Sequence, residues 1–210
     1  MLGDVIQHIE FEPGDVIFMQ GQPSAHVYVV TKGIVKLCTH CPEGREQIVG
    51  LCSPERALAG LQSLNDKHYA YSAIATAKVR VCKISHRTLL ACIHDDGDLA
   101  VRLVKAVSEQ LAHSRALTEV LGHTCAAAKI ASFILLMIPK SEHGNCGFPL
   151  PFSRMEMASL LGLREETVCR IMADMHRHGA IDAPRGRMEI HAWDQLHDIA
   201  DGKSKGQVVA

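Results

Sequence analysis

Glu166 and Arg170 stand four residues apart in the segment LGLREETVCRI, a spacing that puts both side chains on one face of a helix. Such a pair can read a DNA duplex: an arginine binds guanine O6 and N7 together, and a glutamate accepts a hydrogen bond from cytosine N4. Arg164, Glu165, Thr167 and Cys169 flank the pair and are the other candidates for base contact. The competing reading is an ion pair on a solvated helix surface. Thiols make up the second set of candidates. Cys38 and Cys41 form a Cys-x-x-Cys motif around His40, Cys52 follows on the next predicted strand, and Cys82 lies in RVCKIS. Cysteines so spaced can ligate a metal or cluster, or act as a redox pair. Residues three apart on a strand point to opposite faces, so Cys38 and Cys41 converge only if Pro42 and the turn curl the chain into a knuckle. Otherwise they are small apolar residues beside a hairpin. Cys169 has a separate chemistry, because oxidation there would add bulk or charge to the face that carries Arg170.

Helices must position the Glu166/Arg170 face. Ser153 with Glu156 three residues on is a capping box that opens a helix over 154–161. Ala158 allows close approach of a second helix, and Gly162 permits a left-handed turn before that helix, expected over 165–178 and closed by Gly179. Two strands around PRGR and a short last helix in WDQLHDIAD follow. This order is a helix-turn-helix with a wing, in which the second helix enters the major groove. Upstream, CAAAKIASFILLMI reads as a buried helix, Pro139 to Gly147 as a loop and FPLP as a short extended piece. A longer helix is expected from about Leu99 to Leu121. Val104, Val107, Leu111, Ser114, Thr118 and Leu121 step along it by threes and fours, the spacing of a coiled-coil seam. Pairing with a twin helix fits that stripe; a helix lying on its own domain is the alternative. Gly122 is a candidate hinge. Between Ile6 and Ile84, segments such as HVYVVTKG, IVKLCTH, EQIVGLC and KVRVCKIS read as short strands broken by glycines and prolines, with a hairpin turn at Gly44. They predict an antiparallel sandwich or barrel.

The 210 residues suffice for one large domain or two ordinary ones, and 47% hydrophobic with 21% charged residues fits a globular chain. A net charge of −1 lends no support to a nucleic-acid partner, so that reading rests on local pattern alone. The N-terminus shows no signal-peptide pattern, and the longest apolar run, IASFILLMI, is too short for a membrane span. A cytoplasmic protein without a membrane partner is expected, and there eight cysteines are not a disulfide framework. Aromatic content of 4% argues against base-stacking platforms for single strands. No catalytic triad order, phosphate loop or HExxH motif is present, and the acids of HDDGD read as the solvated entry to the long helix. An enzyme is not expected.

In this order and spacing, PGDVIFMQGQPSAHVYVVTKGIVKL, EGREQIVGL and LGLREETVCRIMADMHRHGAI resemble the CRP/FNR superfamily of bacterial transcription regulators, over about Phe11 to Asp198. The last segment is similar to the Glu-x-x-Ser-Arg pattern of the FNR type, with Cys169 in place of the serine. The resemblance implies an α+β architecture: an N-terminal β-barrel of the cyclic-nucleotide-binding type (a jelly roll), a long dimerisation helix and a C-terminal winged helix-turn-helix. The corresponding divisions are 1–98, 99–122 and 123–200, with a disordered tail at 201–210. It also implies a homodimer on double-stranded DNA, bound at an inverted repeat of TTGAT-type half-sites, with RNA polymerase a further partner. By analogy Glu166 and Arg170 read the G·C position. Ser153 and Arg154 would hold phosphate at a helix N-terminus, with Arg185 and Arg187 in the wing turn.

Cyclic-nucleotide binders of this superfamily carry Gly-Glu and Arg-Ser pairs around the cyclic phosphate. Here those sites read Ala59-Gly60-Leu61 and Tyr71-Ser72, without the acid or the arginine. A buried phosphate without a cation is costly, so cAMP is rejected as the effector. The FNR type ligates an iron–sulfur cluster through N-terminal cysteines that are not seen here and one barrel cysteine, whose place Cys82 takes. The cofactor stays open between an iron–sulfur cluster, a metal through Cys38, Cys41, Cys52 or Cys82, haem through one of His8, His26, His68, His86, His113 or His123, and none. Cys92 and Cys125 read as packing residues and Cys146 as a loop residue. A redox, metal or gaseous signal is expected. The alternatives are a regulator of the FixK type controlled by its own abundance, and a thiol- or metal-binding protein of another class.

Overall fold

The computed structural model describes residues 6–40, 46–54, 58–138, 147–184 and 186–203. Cys41, Cys146, Arg185, the expected turn at Gly44, the loop at 139–146 and the tail from 204 lie outside the described residues. Two compact units divide the chain, Met1–His113 and Ser114–Ala210.

The first unit is built on two antiparallel sheets. One carries β1 (Gln7–Phe11), β3 (His26–Lys32), β6 (Leu58–Ala59) and β8 (Val79–Ser85) in the order β1-β8-β3-β6. The other carries β2 (Val16–Phe18), β4 (Val35–His40), β5 (Glu46–Cys52) and β7 (Ser72–Ala75) in the order β2-β7-β4-β5. Both inner faces meet in one core that includes Phe18, Tyr28, Val30, Val35, Leu37, Tyr69, Tyr71, Ala73, Val79 and Val81. The apolar run HVYVV has no polar alternation because β3 is covered on both sides. Tyr28 and Val30 enter this core, whereas Val27 and Val29 face a second cluster with Ile84, Leu89, Ile93, Leu103 and Ala106. The last four of these come from α1 (His86–Asp95) and α2 (Gly97–Gly122).

Serine and aspartate caps set the helix starts. Ser85 Oγ accepts from Thr88 N at 3.1 Å at the head of α1. Asp96 Oδ1 accepts from Leu99 N at 3.1 Å and its Oδ2 lies 3.4 Å from Arg102, so Asp96 of HDDGD serves the entry to α2. That helix begins at Gly97, two residues before the expected start, and Gly122 is its last residue.

In the second unit α3 (Ala126–Met137) is the central buried helix, with Ile130, Phe133 and Ile134 fully enclosed. It contacts α5 (Glu165–Arg177) and α6 (Trp193–Ala200), while α4 (Arg154–Leu161) contacts α5. The wing has β10 (Ile181–Asp182) and β11 (Arg187–Ile190), and a third strand, β9 (Phe148–Pro149), joins it in the order β10-β11-β9. FPLP is therefore an edge strand of the wing sheet, a place that tolerates Pro149. Among the described residues no helix is long and apolar enough to cross a membrane.

Candidate nucleic-acid interface

The start of α4 is fixed by the expected capping box. Ser153 Oγ accepts from Glu156 N at 3.1 Å, and Ser153 N donates to Glu156 Oε2 at 2.9 Å. Gly162 then takes a left-handed conformation, φ 64° and ψ 36°, and its N–H reaches the carbonyl of Ala158. Leu163 N donates to the same carbonyl at 2.9 Å. This turn brings Met157, Ala158, Leu160 and Leu161 of α4 into the core that receives Val168, Ile171, Met172 and Met175 of α5.

The opposite face of α5 is left to solvent. At about 100° per residue, Glu166, Cys169, Arg170, Ala173 and Arg177 fall on one side, and all five are exposed. Glu166 and Arg170 form no ion pair with each other. Arg164, the N-cap, and Glu165 are exposed at the same end. Thr167 is half-buried at the border of this face, nearer Val168 than the other candidates. The acids of the first turn and His176 and Arg177 in the last complement the helix dipole. Ala173 and Arg177 extend the exposed face; their spacing of three and seven from Arg170 was the signal that sequence reasoning passed over. Arg177 Nη2 lies 3.1 Å from Asp174 Oδ1, which orients it along the helix.

The phosphate candidates are placed less uniformly. Arg154 is the first residue of α4 and half-buried, with Nη1 3.7 Å from Sδ of the buried Met157. Ser153 Oγ is engaged by Glu156, so a phosphate there would compete with the capping box. Arg187 closes the expected turn, its N donating to the carbonyl of Pro184 at 3.0 Å, and opens β11; its Nη2 donates to the carbonyl of Gly147 at 2.8 Å. Arg185 lies outside the described residues.

On α2 the expected seam stays uncovered within one chain. Val104 is 65% exposed, Val107 39%, Leu111 50% and Leu121 40%, and Ser114 and Thr118 are exposed with them. His113, Leu117 and Val120 are buried on the other side. Thus α2 lies on its own chain by one face and presents an apolar stripe with the other.

The sensory candidates do not gather. Cys38 and Cys52 are fully buried on β4 and β5, and Cys52 pairs across the ladder with Val35, not with Cys38. Burial pushes the Cys52 thiol up to about 12. Cys82 belongs to the other sheet, where its side chain is on the outer face of β8, and its Sγ lies 3.3 Å from His8 Nδ1. Burial raises its pKa as well. These three thiols do not fit one four-sulfur cluster, and Cys41 lies outside the described residues. Cys92 is half-buried, and Cys125 and Cys169 are exposed; Cys125, expected as a packing residue, is instead the solvent-facing N-cap of α3.

Where a cyclic phosphate would need a cation, the barrel holds tyrosines. Tyr71 is 8% exposed and its hydroxyl accepts from Gly60 N at 3.2 Å. Ser72 Oγ accepts from Gln20 N at 2.9 Å. Tyr69 stacks on Phe18 with ring centroids 4.0 Å apart and donates its hydroxyl to the carbonyl of His26 at 2.8 Å. Desolvation pushes Tyr71 up to about 12.

Residues 8–96 match the cyclic nucleotide-binding domain, and residues 128–199 match the Crp-like helix-turn-helix domain. Nitrogen fixation regulation protein FixK of Bradyrhizobium diazoefficiens is 30% identical over 189 residues, which cover 88% of this chain and 78% of that protein. The chain belongs to the CRP/FNR family of transcription regulators. Another family member, transcriptional activator protein Anr of Pseudomonas aeruginosa, is 29% identical over 92% of this chain and 80% of its own length. Among solved structures, FixK2 from Bradyrhizobium japonicum superposes with a TM-score of 0.80 at 24% identity, covering 93% of this chain and 97% of that one. A CRP-family regulator from Thermus thermophilus gives 0.75 at 20% identity, covering 96% and 99%. Within this family the helix-turn-helix implies DNA binding and dimerisation.

Proposed function

We propose that this protein is a cytoplasmic, homodimeric regulator that reads an inverted repeat of TTGAT-type half-sites and does not respond to cAMP. One observation carries the reading: an amphipathic α5 whose buried side is locked by Val168, Ile171 and Met175 while Glu166, Cys169 and Arg170 face outward. In each half-site Arg170 contacts the guanine and Glu166 the cytosine paired with it. Arg154, with Arg185 and Arg187 from the wing, contacts phosphate and fixes register. Two copies join through the Val104, Val107, Leu111 and Leu121 stripe. RNA polymerase is a further partner, and no catalytic role is assigned.

The independence from cAMP is supported by chemistry inside the barrel. Tyr71 stands where the family's cyclic-nucleotide binders have arginine, its hydroxyl occupies the Gly60 N–H, and the Ser72 hydroxyl is engaged by Gln20. The input proposed is a redox, metal or gaseous signal through the thiols; of Cys38, Cys52 and Cys82, the candidates among the described residues, Cys82 beside His8 is the partly exposed one. A second reading, control by abundance with no effector, is favoured by the Phe18, Tyr28, Tyr69 and Tyr71 packing that fills the barrel core.

Fluorescence anisotropy with a labelled TTGAT-type inverted repeat tests the proposal. Specific binding that weakens steeply with salt and is unchanged by added cAMP is expected. Equal affinity for a scrambled duplex, under oxidising and reducing conditions alike, would refute it.

A further inference from the structure

The base of the wing brings together side chains that DNA reading does not use. Asp182 on β10 and Glu189 on β11 are direct partners across the ladder. His191 follows Glu189 by two positions, in the bend just past the end of β11, where its N donates to the carbonyl of Ala180 at 3.0 Å. One ligand atom from each of the three lies within 4.8 Å of the others. Donors around a tetrahedral zinc-like ion sit at about 2.0–2.2 Å and so about 3.4 Å from one another, which these three reach by closing in by roughly 1 Å. Further contacts hold the two carboxylates in place. Asp182 Oδ1 accepts from Ala183 N at 2.8 Å and lies 3.4 Å from His176 Nδ1. Glu189 lies against Gly147, where an added Cβ would come within 2.8 Å of its Cγ. Two carboxylates directly opposite each other on a ladder repel, and a cation between them would relieve that repulsion beyond what His176 beside Asp182 and Arg187 near Glu189 supply.

From this arrangement we infer that Asp182, Glu189 and His191 form a binding site for a divalent transition ion. One imidazole and two carboxylates suit borderline ions such as Zn²⁺, Co²⁺ or Ni²⁺, with water completing the coordination. His176, from the end of α5, is a positioning residue that orients Asp182 from its outer side. The ion ties both strands of the wing hairpin together and reaches, through Asp182 and His176, the C-terminal end of the helix that carries Arg170. Metal availability thereby sets how firmly the wing is held.

The test is Co²⁺ titration of the reduced, chelator-stripped full chain, followed by absorption. Thiolate ligation gives intense charge-transfer bands, whereas nitrogen and oxygen donors give only weak d–d bands, so cysteine sites are distinguished from this one. The wild type should take up one equivalent with d–d bands and no thiolate charge transfer, displaceable by Zn²⁺. Glu189→Gln and His191→Gln should each weaken that equivalent at least about tenfold. Glu189→Gln also removes the like-charge pair, so in chelator it should melt no lower than wild type, and Zn²⁺ should raise the melting temperature of wild type alone. Thiolate bands for every bound Co²⁺, or equal uptake by wild type and both variants, would overturn the inference. Neither readout involves DNA, so the result is independent of the operator proposed above.

Discussion

Replacing Arg170 by alanine separates base reading from everything else the helix does. Among the described residues its guanidinium enters no hydrogen bond or ion pair, so the variant should keep its fold. A bidentate arginine–guanine contact contributes about 1–3 kcal/mol of discrimination, and a homodimer on an inverted repeat makes it twice. The loss is then about 2–6 kcal/mol, or roughly 30-fold to more than 10,000-fold in affinity for the repeat. Anisotropy titrations would compare the TTGAT-type repeat with a duplex altered only at the G·C positions. Arg170→Ala should bind the two alike, with the salt dependence of the wild type nearly kept. Arg154→Ala should instead weaken both duplexes by one factor and lower the salt slope by about 2 per dimer. If Arg170→Ala weakened both duplexes equally while its circular dichroism stayed native, the arginine would be a phosphate contact and the base-reading argument would be wrong.

Leu111→Glu places a charge in the middle of the exposed α2 stripe, where the native side chain is 50% exposed. Sedimentation should show a folded monomer, and a persistent dimer would move the interface elsewhere. Gly162→Ala adds a Cβ that meets nothing within 4 Å at φ 64°, so its cost is conformational alone, about 1–2 kcal/mol in urea unfolding. A much larger loss would point to a contact that the turn does not make. Alkaline stability follows from Cys52 and Tyr71, ordinary near 9.0 and 10.0 and both held near 12 by burial. Between those values the unfolded chain releases protons that the folded one keeps, so unfolding free energy should fall as pH rises from about 9 toward 12. Melting curves across that range on wild type and Tyr71→Phe should show a shallower decline in the variant, and identical slopes would remove Tyr71 from the argument.

The DNA-facing half was largely legible because its signals are local. The Ser153–Glu156 cap, the Gly162 turn and the 3.6-residue pattern of Val168, Ile171, Met172 and Met175 lie within about two dozen residues. The stripe of α2 is exposed at the expected spacing, and the opposite face, with Leu103, Ala106 and Leu117, packs within the chain. What escaped depends on distant residues. The two-residue strands β6 and β9 exist because Tyr28 pairs with Ala59 and Met188 with Phe148. Cys82 meets His8 only because β1 returns beside β8, 74 positions away in sequence. No spacing rule joins Asp182 to His191 across a turn or predicts that Arg187 closes on Gly147. The Tyr71 hydroxyl on Gly60 is likewise a product of the folded barrel.

The exposed stripe of α2 also has a consequence in mass action. A single chain presents one recognition helix and one unpaired apolar seam, while an inverted repeat offers two half-sites. Below the dimerisation constant, the dimer concentration rises with the square of the monomer concentration. Doubling the amount of protein then raises operator occupancy about fourfold while occupancy is low. Synthesis and degradation alone therefore change operator occupancy more steeply than they change the amount of protein, whatever the barrel senses.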